Sequence, residues 1–321
     1  VANLDQLNSM LADVIEEGQD IHINALPMYH IYSLVVLVLA GYSKGGLNVL
    51  ITNPRDTKGF INELKKWPFT FFNGVNTLYE SLLNHPDINS VDFSTMKLSG
   101  TGGSACRKST ADRWQQLTGK VLLEGYGLSE TSPSVSISPP YLTEFNGFVG
   151  LPIPNTEISI RDDDGKAVKR GEPGEICVRG PQVMKGYWQN EAATAETIGE
   201  DGFLKTGDIG TLNKDGFLAI VDRKKDMILV SGFNVYPNEI EDVVSLHPDI
   251  IEAACIGIDD KKTGEAVKLF VVKSNASLSE KEIIAYCKEN LTGYKIPKQI
   301  EFIDELPKTN VGKVLRRELR E

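Results

Sequence analysis

The sequence predicts an α/β protein in which βα sheet layers and a small β-barrel are followed by a small α+β domain. Three changes of texture along the 321 residues predict it. Residues 1–139 alternate helical periods with short apolar runs. Residues 140–222 carry short β-like runs between turn signals, and residues 223–321 form a closing segment long enough to fold separately.

In the first part, Ile21 to Leu26 alternates apolar and polar residues, Leu47 to Ile51 reads as a strand, and Phe69 to Phe72 as another. Helices are expected from Lys58 to Trp67 and from Val75 to Leu83. Strands alternating with helices call for a mainly parallel sheet. The ten-residue run Ile31 to Ala40 falls short of the roughly 20 residues that span a bilayer, so a buried core helix is expected. In the second part, Glu157–Arg161, Gly174–Arg179 and Phe217–Val221 are separated by Asp163-Asp164-Gly165, Gly171-Glu172-Pro173-Gly174 and Lys214-Asp215-Gly216. Turn residues at that density imply a barrel or sandwich rather than another βα layer. In the third, Asn238 is expected to cap a helix, strands are expected near Ala253–Ile258 and Val267–Val272, and Ser279 to cap a helix reaching Asn290.

Composition excludes several classes. With 44 acidic and 34 basic side chains, a formal charge of −10 and 41% hydrophobic residues, the chain is neither disordered nor a basic nucleic-acid module, so no nucleic-acid partner is expected. Cys106, Cys177, Cys255 and Cys287 have neither disulfide-framework nor zinc spacing, which suits a reducing compartment. No secretory or lipidation signal is seen; the chain opens at Val1, in mid-pattern, and a fragment of a longer protein is expected.

Two motifs bear on chemistry. Ser99-Gly100-Thr101-Gly102-Gly103-Ser104 follows an apolar run; its glycines permit close backbone approach to a nucleotide, but a tight strand-to-helix turn explains them as well, since the spacing matches neither a P-loop nor GxGxxG. Gly125-Tyr126-Gly127-Leu128-Ser129-Glu130-Thr131 places a ring, a hydroxyl and a carboxylate between flexible glycines. The ring can stack on a base, the hydroxyl can reach a phosphate and the carboxylate suits Mg²⁺, while a turn with a capping Ser or Thr accounts for the same residues.

Gly125–Thr131, Gly174–Gly180, Lys205–Asp208, Asp222–Gly232 and Pro307–Lys313 occur in the order found in the adenylate-forming superfamily, which the chain resembles along essentially its whole length. Asp222–Asp242, with Phe233–Glu239, and Gly312–Glu318 resemble bacterial long-chain fatty acid–CoA ligases in particular. The resemblance implies an AMP-forming acid–thiol ligase taking ATP, Mg²⁺, a fatty acid and CoA. It implies that residues 1–222 are the C-terminal part of a large adenylation domain and 223–321 a small mobile domain. Gly102, Gly103 and Ser104 would face adenine, with Gly125, Tyr126 and Gly127 beside it; Ser129 would reach the α-phosphate and Glu130 hold Mg²⁺. Asp208 and Arg223 would contact the ribose, for which an acceptor-only carboxylate is suited. Lys313 would bridge the substrate carboxylate and phosphate, and Lys225 would be the hinge. His30 and Gly232 would border the acyl and pantetheine channel, although a lone His beside an apolar run is equally a hydrogen-bonded core residue. The other cations of the tail, Lys308, Arg316, Arg317 and Arg320, read mostly as solvated surface.

No Ser/Thr/Gly-rich phosphate loop ending in lysine occurs in the 321 residues, and the isolated chain is expected to be inactive. A 4-coumarate-type ligase, a luciferase-like enzyme and a noncatalytic nucleotide- or acyl-binding module are the alternatives. A cytoplasmic location is expected, and a fatty substrate is compatible with peripheral contact on the inner face of the membrane.

Overall fold

The computed structural model describes residues 1–309 and 314–320. It divides into two compact units, Val1–Thr206 with Thr211–Ile220, and Gly207–Gly210 with the chain from Val221 onward.

The first unit holds a seven-stranded sheet of β1 (Ile21–Asn24), β2 (Leu47–Leu50), β3 (Phe71–Gly74), β4 (Leu98–Gly102), β5 (Leu122–Gly127), β6 (Ser134–Ile137) and β7 (Leu151–Pro152). The order is β2-β1-β3-β4-β5-β6-β7. The first five strands are parallel, as the alternation predicts, and β6 and β7 continue antiparallel. Helices Thr57–Leu64, Asn76–Leu83 and Lys108–Thr118 connect the parallel strands. Asp56 caps the first by accepting from the Gly59 N–H at 3.0 Å. Their apolar stripes meet the sheet in a core where Trp114 lies against Phe72, Tyr79 and Phe93 with ring centroids 4.7–5.6 Å apart.

One expectation fails here. Ile31 to Ala40 is not a buried helix: Tyr32–Leu39 is π-helical, and only Ser33 and Leu37 are buried while Leu34 and Leu39 are exposed. A run whose only strongly polar residue, Ser33, is buried has no polar face to reveal which side meets solvent, so hydropathy alone cannot report its burial.

The expected barrel is realised as an open four-stranded sheet, in the order β11-β10-β9-β8, of β8 (Glu157–Arg161), β9 (Gly174–Arg179), β10 (Leu204–Leu212) and β11 (Leu218–Arg223). Four strands are fewer than the about five of the smallest barrels, so the short runs and turns are right but closure does not follow. Both β10 and β11 run from the first unit into the second.

The second unit carries β12 (Ile228–Val230), β13 (Phe233–Val235), β14 (Ile250–Asp260), β15 (Gly264–Lys273) and β16 (Gln299–Phe302) in one sheet. Helices Pro237–Val244 and Glu280–Asn290 contribute Ile240, Val244, Ile283 and Cys287 to its core. Ser279 and Glu282 form a capping box as the sequence predicts. Asn238 is not a cap. Pro237 starts its helix at the first position, where the missing N–H has no cost, and leaves the Asn238 side chain inside the first turn for other contacts.

Candidate active site

The strand order brings the glycine motifs together. Gly102 of β4 pairs with Gly125 of β5, so residues 102–104 and 125–131 leave the carboxyl ends of adjacent parallel strands. In open α/β sheets that edge is where ligands bind, most often where the strand order reverses. Here it reverses between β1 and β3, and the segment Leu26–His30 follows β1 at the same edge.

Gly103 adopts φ +79°, outside the ordinary reach of a side-chain-bearing residue. Gly127 is needed for a different reason: a Cβ there would lie 2.0 Å from the Pro133 carbonyl oxygen. The register slips between Tyr126 and Gly127, a bulge that re-aims the chain after Tyr126. Tyr126 is half-buried against the cluster of Val135, Ile160, Ile176, Val178 and Leu218. The turn that follows is capped by Thr131, whose Oγ1 accepts the Leu128 N–H at 3.0 Å. The turn-and-cap reading of the motif holds for Thr131. Thr131 is buried and structural, Ser129 is exposed, and Glu130 is half-buried.

Glu130 is fixed from elsewhere in the unit. Tyr187 Oη donates to its Oε1 at 2.9 Å, and the Met184 N–H donates to its carbonyl at 2.8 Å. Partial burial and this bond push the Tyr187 hydroxyl upward. Tyr187 has no spacing signal in the sequence, and only the structure shows its contact with Glu130. Among the described residues no group of three His, Cys, Asp or Glu could cage a metal. A single aimed carboxylate nonetheless fits Mg²⁺ that arrives on a nucleotide, because that ion keeps most of its ligands as phosphate and water.

Beneath the glycine loop lies Glu124, buried on β5, whose Oε1 accepts the Cys106 N–H at 3.2 Å. Burial raises its carboxyl to about 7, against the opposing pull of that bond. His30 Nδ1 accepts the Tyr32 N–H at 3.2 Å, so one ring nitrogen serves the start of the π-helical segment.

In the second unit Asp208 and Arg223, the two expected ribose contacts, form an ion pair, Arg223 Nε to Asp208 Oδ1 at 3.5 Å. Lys225 is exposed within the short 3₁₀ turn Lys224–Asp226. Ser231 and Gly232, at φ +52° and +84°, are the two-residue tip of the β12–β13 hairpin, as the pairing of Val230 with Phe233 requires. Lys313 lies outside the described residues.

The reading of the tail cations as solvated surface is overturned for Arg316. Its side chain is only 13% exposed and lies 2.8 Å from Glu241 Oε2. Lys308 pairs with Glu252 at 2.5 Å and Arg320 with Asp226 at 2.9 Å. Sequence proximity could not reveal carboxylates that come from helix Pro237–Val244 and from the segment after β11.

Residues 1–188 match the family model of AMP-binding enzymes, and residues 239–313 that of the AMP-binding enzyme C-terminal domain. The chain is 55% identical over 320 residues to a long-chain-fatty-acid–CoA ligase of Yersinia pestis and 53% identical over 321 residues to one of Escherichia coli O157:H7. All of the chain is covered in both cases, and it spans 57% of the length of each relative. An ATP-bound MatB from Rhodopseudomonas palustris superimposes with a TM-score of 0.90 at 31% identity, over 99% of this chain and 63% of that one. The o-succinylbenzoate CoA synthetase of Bacillus subtilis, in complex with its acyl-adenylate intermediate, gives 0.87 at 31% identity, over 99% and 64%.

Proposed function

The chain belongs to the AMP-binding enzyme family, and from that premise we propose that it acts in a long-chain fatty acid–CoA ligase. The observation that carries the reading is the pairing of Gly102 with Gly125, which sets the glycine loop and the Tyr126–Glu130 turn side by side at the carboxyl edge of the sheet. Identities of 53–55% to long-chain-fatty-acid–CoA ligases support the acid chosen.

In the first step a fatty carboxylate oxygen attacks the α-phosphorus of ATP, the bond to the β-phosphate oxygen breaks, and acyl-AMP and pyrophosphate form. In the second the CoA sulfur attacks the acyl carbonyl, its proton passing to solvent, and AMP leaves with the bond electrons. No covalent enzyme intermediate is needed. The residues position and neutralise charge. The 102–104 loop and Tyr126 seat adenine, and Asp208 accepts from the ribose hydroxyls with Arg223 beside it. Ser129 donates to the α-phosphate. Lys313 brings a positive charge to the carboxylate and phosphate while the anions approach. Glu130, aimed by Tyr187, would hold Mg²⁺, which when bound supplies positive charge against the phosphate oxygens. Lys225 is the pivot about which Lys313 and the Ser231–Gly232 tip exchange places. No described helix is long and apolar enough to cross a membrane, and peripheral membrane contact and a cytoplasmic site remain part of the proposal.

The test uses a chimera in which this chain replaces the matching 321-residue stretch of the Escherichia coli relative. Palmitate-dependent pyrophosphate release, followed by palmitoyl-CoA on adding CoA, is expected. A folded chimera that binds AMP yet releases no pyrophosphate with any fatty acid would contradict the reading. The 321-residue chain alone is expected to bind AMP and release none, since the sequence carries no phosphate loop.

A further inference from the structure

The second unit buries an ionic cluster that the proposed chemistry does not use. Its hub is Arg316. Nε and Nη2 reach both oxygens of Glu241, at 3.2 and 2.8 Å, and Nη2 also donates to Asn238 Oδ1 at 2.7 Å. Nη1 lies 3.5 Å from Asp226 Oδ2 and 3.9 Å from Asp222 Oδ1. Arg320, one turn further along, donates to the other Asp226 oxygen at 2.9 Å.

The origin of these carboxylates matters. Asp222 and Asp226 bracket Arg223-Lys224-Lys225, so both ends of the pivot segment close on the same guanidinium. Asp222 is itself fixed by the N–H groups of Asn238 at 2.8 Å and Arg223 at 2.7 Å. The Asn238 side chain, on the helix that Glu241 shares, donates to the Val221 carbonyl at 3.1 Å. On the other side of residues 310–313, Lys308 and Val314 form an antiparallel bridge, the Leu315 N–H donates to the Pro307 carbonyl at 2.8 Å, and Lys308 pairs with Glu252 of β14. Val314 and Leu319 pack against Ala254, Ile256 and Phe270.

A buried ion cluster is a poor way to gain stability, since apolar side chains of similar volume commonly serve as well. It is a good way to fix geometry, because a planar fork meets several acceptors in one arrangement only. We propose that Arg316 is a positioning residue that couples the pivot segment Asp222–Asp226 to the C-terminal tail, so that the stretch carrying Lys313 turns with the pivot as one piece. Loss of the fork would leave the segment 314–320 less sharply placed against the pivot, and misplacement of a catalytic group by about 1 Å can cost roughly 100-fold in rate. The proposal rests on the roles given above to Lys225 and Lys313.

Two measurements test it. In the 321-residue chain, peptide-resolved hydrogen exchange of Arg316→Gln should rise at least tenfold both in 222–227 and in 314–320, with β15 unchanged. Asp226→Asn should likewise raise exchange in the tail. A rise in the tail with 222–227 unchanged overturns the coupling. Should Arg316→Gln unfold the unit, Arg316→Lys keeps the charge without the fork and is judged by the same criterion. In the chimera, Arg316→Gln should lower the adenylation kcat at least tenfold with little change in KM for ATP, and adding Lys313→Ala should lower it little further. Additive losses would overturn the proposal. If Lys313→Ala alone leaves adenylation intact, the role of Lys313 fails, and the exchange result still decides whether pivot and tail are coupled.

Discussion

Tyr187 donates its hydroxyl to Oε1 of Glu130 at 2.9 Å, which fixes the carboxylate proposed to meet a nucleotide-borne cation. The contact holds this half-buried carboxylate in one orientation. Tyr187→Phe removes the donor and keeps the ring. With Tyr187 38% exposed, the loss should be about 0.5–1.5 kcal/mol, a two- to tenfold rise in the Mg²⁺ concentration needed for half-maximal adenylation. An unchanged Mg²⁺ requirement would show that Glu130 is aimed without Tyr187 or is not the ligand.

Asp208 and Arg223 pair with each other where the proposal needs both at the ribose. Asp208→Ala should therefore weaken ATP use in adenylation and acyl-AMP use in thioester formation alike, by roughly 10- to 100-fold, because the same hydroxyls are held in both. Loss in one half-reaction only would remove the shared contact. Binding of AMP measured by calorimetry should fall in parallel.

The pivot and the lysine should separate the half-reactions. Lys225 sits in the turn whose Met227 N–H donates to the Arg223 carbonyl at 3.2 Å, and proline at 225 leaves that bond intact while fixing φ near −65°. Lys225→Pro should spare adenylation and depress thioester formation from supplied acyl-AMP. Lys313→Ala should do the reverse, by about 100- to 1000-fold in adenylation, the scale for losing one electrostatic contact at a transition state. Equal effects on both halves in either variant would make that residue structural.

Glu124 makes the fold pH-sensitive. Burial raises its carboxyl from the ordinary range to about 7, so the folded state holds a proton that the unfolded chain has released. The stabilising contribution is complete below the unfolded pKa and is lost as pH rises through about 7, by about 3 kcal/mol at most. Urea midpoints of the chain should fall between pH 5 and 8. Glu124→Gln retains an acceptor for the Cys106 N–H and should flatten that dependence. A wild-type midpoint that does not change over this range would contradict the burial argument.

The sequence carried the fold class because β/α alternation and period-two strands are local. Glu157–Arg161, Gly174–Arg179 and the helix capped by Ser279 are found where the pattern puts them. The third strand is displaced, Phe71–Gly74 instead of Phe69–Phe72, since a continuous apolar run marks burial but not which residues join the ladder. Asn238 misled because a good capping residue next to Pro237 is freed for tertiary contacts. The glycine and acidic motifs proposed for the site were legible as motifs through their chemistry. Tyr187, Glu124 and Arg316 were not, since each acts through a partner distant in sequence that only the fold brings near.

The most direct test of the central claim is palmitate-dependent pyrophosphate release by the chimera, compared with Glu130→Gln and Asp208→Ala in the same background. Release should depend on palmitate and Mg²⁺, fall at least tenfold in both variants, and precede palmitoyl-CoA on addition of CoA. Release that is independent of the fatty acid, or untouched by both substitutions in a folded protein, would contradict the assignment of this edge of the sheet to adenylation.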